Sequence, residues 1–205
     1  RRRAWRQLKH RTAVPAQARR RAEQYQEKGE LMSKHRVTGY RLEPATREHV
    51  GQMARIDREL FPSGPWTEAM FAEELGGPGR QYTVILNGSA VCGYGGLWFD
   101  GDSAHIMTIA VDEPSQGYGL GRWLLHTLLE QARELGAEDV LLDVRVDNNP
   151  AIELYHSAGF GTIGMRARYY PDGSDALTMH LDLSPALEVR LAPSAASAAD
   201  LTDSE

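Results

Sequence analysis

The residues best suited to chemistry lie in a glycine-rich run, Gln116-Gly117-Tyr118-Gly119-Leu120-Gly121-Arg122, which joins the apolar stretch ending at Val111 to a helical segment. At a strand-to-helix junction, glycines let backbone N–H groups turn towards one point and the helix N-terminus adds partial positive charge. The run therefore suits a phosphate or pyrophosphate. A Walker loop is excluded, because it needs GxxxxGK[ST] and no lysine follows Lys34. A dinucleotide fingerprint fails in both registers, with Arg122 or Leu124 at the third glycine position. A tight turn holding no ligand would use the same glycines. The second candidate is Asp143, inside the apolar run Val140 to Val146. Strand alternation puts Val140, Leu142, Val144 and Val146 on one face and Leu141, Asp143 and Arg145 on the other. A carboxylate in such a strand is costly unless paired or functional, so Asp143 is read as an ion-pair partner of Arg145 or another neighbour, or as an acid–base group. His105 and Glu113 are weaker acid–base candidates, each fitting a surface or packing role.

These residues need elements to position them. Tyr40 to Pro44 reads as a first strand, and Thr46 caps a helix with Val50, Met53, Ile56 and Leu60 at helical spacing. Phe61 to Pro65 breaks it, Thr67 caps a second helix to about Leu75, and Gly76-Gly77-Pro78-Gly79 ends that. Strands Gln81 to Leu86 and Ala90 to Phe99 are joined by Asn87-Gly88, and Asp100-Gly101 turns the chain into Ala104 to Val111. A helix from Leu120 to Leu135 stops at Gly136. Val140 to Val146 has the continuous apolarity of a strand covered on both faces. Pro150 opens another helix, with Gly159 as its stop, and the last strands are Gly161 to Tyr169 and Ala176 to Leu183. The order β-α-α-β-β-β-α-β-α-β-β predicts an α/β fold, a mixed and mostly antiparallel sheet with helices on both faces.

Residues 116–121 match the Q/R-x-x-G-x-G/A signature of the GCN5-related N-acetyltransferases (GNAT). The run IAVDEPSQGYGLGRWLL, then LLDVRVDNNPAIELYHSAGF, then RYYPDGSDALTMHLDL resemble the branch of that family that acetylates ribosomal-protein alanine termini. Phe61-Pro62-Ser63-Gly64-Pro65-Trp66-Thr67 looks like the family's F-P-W-S/T segment with extra residues inserted. The resemblance spans about Val37 to Leu183. It implies acetyl-CoA as co-substrate, in the cleft between two central strands, and no metal. It also implies that Ile109, Ala110 and Val111 bond the pantetheine arm as an added strand would, and that Gly117, Tyr118, Gly119, Leu120, Gly121 and Arg122 cradle the pyrophosphate. Asn148 matches an acetyl-CoA contact or is simply a helix cap. Tyr155 matches the family's general acid or is a core aromatic beside Ile152 and Ala158. Asp143 stands where the family has a Glu base, one methylene shorter. The activity implied is transfer of acetyl to the N-terminal alanine amine of small-subunit ribosomal protein eighteen, or to other protein N-termini. The competing readings are acetylation of a lysine side chain or small amine, and a non-catalytic acyl-CoA sensor.

The 205 residues fit one domain, 41% of residues are hydrophobic, and no apolar run reaches the roughly 18 to 20 residues a membrane span needs. Cys92 is the only cysteine, so no intramolecular disulfide forms, and a reducing cytoplasm fits. The net charge of −5 is unevenly spread: residues 1–36 carry twelve Lys/Arg and three Glu, +9, while the remainder carries eleven basic and 25 acidic residues, −14. Residues 1–36 read as a disordered basic arm, with Met32 near the natural start, and 184–205 as a disordered tail flanking the acetyltransferase domain at 37–183. An acidic body attracts a basic ribosomal acceptor and disfavours nucleic acid, except through the arm. The expected form is a monomer or weak dimer.

Overall fold

The computed structural model describes residues 39–184; the basic arm, and the tail beyond Ser184, lie outside the described residues. The elements in order are β1 (Tyr40–Pro44), α1 (Val50–Leu60), α2 (Glu68–Gly76), β2 (Arg80–Asn87), β3 (Ala90–Phe99), β4 (Ser103–Val111), α3 (Leu120–Glu134), β5 (Asp139–Arg145), α4 (Asn149–Ser157), β6 (Gly161–Arg166) and β7 (Ala176–Asp182). Single 3-10 turns at Arg47–His49 and Glu113–Ser115 lead into α1 and the glycine run.

The strands form one seven-stranded sheet in the order β1-β2-β3-β4-β5-β7-β6. Successive residues on β2 show how it is covered on both faces. Val84 joins Met53, Ile56, Phe71 and Tyr94 under α1 and α2, while Ile85 joins Leu120 and Leu124 of α3 on the other side. Further along that second face, Leu125 and Leu128 of α3 and Tyr155 of α4 pack on Val140, Leu142 and Val144 of β5 and Met179 of β7.

Neighbouring strands run antiparallel except β4 and β5, and this parallel pair creates the site. Its register spans only Ser103↔Asp139 to Ile106↔Leu142, after which the strands part. The break coincides with a bulge. On β3, Gly96 and Leu97 are adjacent, yet their partners on β4 are Thr108 and Ile106, leaving Met107 as the extra residue. Such an insertion bends its strand and increases the local twist, so β4 swings away from β5. Thr108 to Val111 keep β3 on one edge and face a cleft on the other.

Two expected boundaries move. The strand through Val140 stops at Arg145, and Val146 is 39% exposed rather than part of the Val140, Leu142, Val144 face. Its N–H turns instead to the Asp175 carbonyl, 3.2 Å away. The strand from Gly161 stops at Arg166, not Tyr169, because Arg168 takes φ 50 and its N–H donates to Asp175 Oδ1 at 2.7 Å. The chain between β6 and β7 is therefore a built loop standing over the end of β5.

Candidate active site

The cleft between β4 and β5 holds two neighbouring chambers. The inner one, about 100 Å³, is lined by Ile106 to Ile109 of β4, Leu142 to Arg145 of β5, and Asn148, Ala151, Tyr155, Tyr170 and Phe61. The outer one, about 160 Å³, shares Phe61, Met107, Thr108, Arg145 and Tyr170 with it and continues to Asp57, Ser63, Gly64, Trp66 and Pro171. Asp143 and Tyr155, distant in sequence, thus reach the same chamber, with Ile109 and Asn148 beside them. Ala110 is buried under α1 and α2, and Val111 packs with Leu120 and Leu124.

The glycine run follows the open end of β4. Gln116 Nε2 donates to the Val111 carbonyl at 3.0 Å, folding the run back against its strand. Gly117 and Gly119 hold φ 84 and 82, the left-handed region that a side chain strains, and space beside Gly117 is open. The first bond of α3 runs from Trp123 N–H to the Gly119 carbonyl, so the N–H groups of Leu120 and Gly121 precede it and have no partner within the helix. First-turn N–H groups of this kind suit an anion. At Gly121 a Cβ would lie 3.7 Å from Leu154, an ordinary contact, so packing of α3 on α4 does not itself require glycine there. Tyr118 is 61% exposed at the rim.

Of the expected partners of Asp143, Arg145 or another neighbour, the structure gives another neighbour. Asp143 Oδ1 accepts from Thr178 Oγ1 at 2.7 Å, and its Oδ2 lies 3.3 Å from Arg166 Nη1. Thr178 is the register partner of Asp143 across β5 and β7. Arg145 turns to the loop beyond β6. Its Nε and Nη2 fork onto Asp147 at 3.0 and 3.2 Å, Nη1 reaches Asp172 at 2.7 Å, Nη2 meets Ser174 Oγ at 2.8 Å, and the guanidinium lies 5.1 Å from the Tyr170 ring centre. One side chain fastens the loop that carries Tyr170 and Pro171. The Arg145 hydrogen bond holds the Asp172 carboxyl well below the usual carboxylate range.

Tyr155 is 8% exposed, with its ring edge-on to Phe160 at 5.8 Å. Burial pushes its phenol well above the ordinary value, with the Tyr170 phenol adding to the shift, so it stays protonated at neutral pH. Burial likewise pushes Tyr170 up to about 12. Asn148 does cap α4, its Oδ1 accepting from Ala151 N–H at 3.3 Å, while still lining the chamber. His105 is buried, stacked on Trp98 at 5.1 Å and 3.5 Å from Asp100, outside the residues lining either chamber. Glu113 is an exposed residue of a 3-10 turn.

Sequence reasoning missed Thr178, Arg166, Tyr170 and Asp57. For Asp57 the signal was present: an acid one residue after Ile56 and four after Met53, inside the apolar stripe of α1. Among the described residues no group of three or more His, Cys, Asp or Glu could hold a metal ion, and no helix is long and apolar enough to cross a membrane.

Comparison with known proteins points the same way as the cleft. Residues 50–160 match the Acetyltransferase (GNAT) family. The N-alpha-acetyltransferase RimI of Mycobacterium tuberculosis is 39% identical over 143 residues, 67% of this chain and 89% of that protein. A ribosomal protein bS18-alanine N-acetyltransferase of Escherichia coli is 37% identical over 123 residues, 58% of this chain and 82% of that protein. A crystal structure of the Escherichia coli ribosomal-protein-S18-alanine N-acetyltransferase has a TM-score of 0.66 at 30% identity, covering 73% of this chain and 97% of that one.

Proposed function

This chain belongs to the GNAT acetyltransferase family, and from that premise we propose that it moves acetyl from acetyl-CoA to the α-amine of a protein N-terminus, by direct transfer in a ternary complex. The acceptor we favour is the N-terminal alanine of ribosomal protein bS18, the substrate in the names of its Escherichia coli relatives. One observation carries the reading: β4 and β5 part after Ile106 and Leu142, opening a backbone edge that leads from the glycine run to a chamber holding Asp143 and Tyr155.

The residues present fit the co-substrate. Left-handed Gly117 and Gly119 and the first-turn N–H groups up to Arg122, with Tyr118 at the rim, make a cradle for a pyrophosphate. The β4 edge at Ile109, Ala110 and Val111, which β5 leaves unpaired and where only the Val111 carbonyl is taken by Gln116, suits an amide-bearing arm laid down as an extra strand, and Asn148 faces the same space. Acetyl-CoA supplies a thioester, and moving its acetyl group to nitrogen, with the C–S bond breaking, needs a neutral amine and a stabilised leaving thiolate. An α-amine with pKa near 7.7 to 8.0 is partly neutral already, so a modest base suffices, whereas a lysine near 10.4 needs more. In this reading Asp143 takes the amine's proton, directly or through one water. Backbone N–H groups of the β4 edge can meet charge developing on the thioester oxygen, and the protonated Tyr155 phenol can donate to the departing sulfur. The acidic body, −14 outside residues 1–36, favours encounter with a basic ribosomal protein, and such an acceptor places the enzyme in the cytosol.

The test is thiol release from acetyl-CoA with peptides differing in their first residue, run beside an N-blocked peptide containing lysine. Turnover confined to free N-terminal amines is expected. Turnover on the blocked lysine peptide, or binding of acetyl-CoA without turnover, contradicts the reading.

A further inference from the structure

Asp57 is the carboxylate that the chemistry above leaves unused. It lies in the apolar stripe of α1 and is 3% exposed. An ionised carboxylate so placed is costly unless a positive charge answers it. Its Oδ1 accepts from the Tyr94 hydroxyl and its Oδ2 from the Trp66 backbone N–H at 2.5 Å. Both donors are neutral. Among the described residues no Lys, Arg or His forms an ion pair with it, and Arg145, the arginine sharing its chamber, is committed to Asp147 and Asp172. Burial raises the Asp57 pKa against the pull of its two hydrogen bonds, as expected for a carboxyl without a cation.

Asp57 nevertheless forms part of the outer chamber wall, and Phe61 and Thr108 continue from that chamber into the one holding Tyr155. Each carboxylate oxygen has two acceptor sites, so one bond each from Tyr94 and Trp66 leaves capacity for a further donor. The missing partner is a cation able to donate hydrogen bonds and small enough to enter the chamber.

We propose that Asp57 is the binding residue for the protonated acceptor amine, holding the α-ammonium of the incoming chain in the outer chamber beside the site of transfer. This rests on the reading of the cleft as the acceptor's path. The acceptor supplies the charge that the fold withholds.

The test separates charge recognition from a purely structural tie between α1 and the loop beyond it. An alanine-first peptide and its des-amino analogue, neutral at that end, are titrated by calorimetry into the full chain saturated with CoA, so that no turnover occurs. The wild type is expected to prefer the ammonium peptide by at least about tenfold, the lower end for a desolvated charge pair. Asp57→Asn should bring the preference to near one while changing des-amino affinity by less than about threefold. Tyr94→Phe, which keeps the carboxylate, should keep the preference. Equal weakening of both peptides by Asp57→Asn, or no change in either, overturns the proposal and leaves Asp57 as a loop anchor. So does loss of the preference in a folded Tyr94→Phe protein. If the wild type binds neither peptide, the cleft is not the acceptor's path and both readings fall.

Discussion

Asp143→Asn asks whether the carboxylate in the cleft works as a base or as a strut, and the structure sets the size of each answer. The Asp143 side chain is 11% exposed and is held by Thr178 Oγ1 at 2.7 Å and by Arg166 at 3.3 Å. Asparagine keeps an acceptor for Thr178 and loses the ion pair. Arg166 is 28% exposed and also lies over Tyr169, so it keeps water and a ring for company when its partner is neutralised. The structural loss is therefore about 1 kcal/mol, close to a surface pair and well short of a dry one. For a domain of this size that lowers Tm by about 2–4 °C. If Asp143 takes the amine's proton, kcat falls by about 10²–10⁴ while acetyl-CoA affinity holds, because the lost interaction belongs to the transition state. Thr178→Val provides the contrast: it removes a hydrogen bond to a charged group, about 1.5–3 kcal/mol of stability, but leaves the carboxylate, so kcat should fall by less than about tenfold. Asp143→Glu should retain or raise kcat, since it adds the methylene by which this chain falls short of the family's residue. Calorimetric melting and steady-state thiol release decide the matter. Near wild-type kcat for Asp143→Asn from about pH 6 to 9, with a Tm loss beyond about 4 °C, refutes the base and makes Asp143 structural.

Gly119→Val should weaken acetyl-CoA binding by at least about tenfold in calorimetry, because φ 82 strains a β-branched residue by about 1–3 kcal/mol and the cradle must move to relieve it; unchanged affinity removes the loop from the binding site. Tyr155→Phe takes away one hydroxyl in a buried setting and should lower kcat by about 10²-fold with peptide and acetyl-CoA KM little changed; a loss confined to KM would mean a packing role. Burial raises the phenols of Tyr82, Tyr94 and Tyr155 in the fold while the unfolded chain ionises near pH 10, so the folded form holds more protons and stability must fall as pH rises above about 10. A denaturant midpoint unchanged between about pH 9 and 11 would contradict the burial of these groups.

Turn chemistry made much of the fold legible. Asn87-Gly88 and Asp100-Gly101 mark both ends of β3, and Ala90–Phe99 matches its expected span. Period-two alternation placed Asp143 opposite the Val140, Leu142, Val144 face, and the glycine motif located the N-terminus of α3. What stayed hidden depends on register between distant segments. Asp143 and Arg145 share a face, but residues two apart along a strand stand about 7 Å from each other, whereas cross-strand neighbours stand about 5 Å apart. Thr178, directly opposite on β7, therefore reaches the carboxylate; Arg166, one strand further on β6, reaches it with a long side chain across β7, while Arg145 reaches the loop. The bulge at Met107 leaves no mark in a run of apolar residues, yet it coincides with the opening of the cleft. Val146 and Tyr169 read as strand because apolar and aromatic residues beyond a strand's end look like its continuation. Asp57 was passed over because its stripe reads as core, and only the fold shows which cavity that core borders.

The central claim is that acetyl goes to a chain's first nitrogen rather than to a side chain. One peptide carrying both a free N-terminal alanine and an internal lysine, incubated with the protein and acetyl-CoA and fragmented in a mass spectrometer, tests it in a single sample. Acetyl on the α-nitrogen, with the lysine unmodified, is the result the account predicts. Acetyl on the lysine while the N-terminus stays free would contradict it.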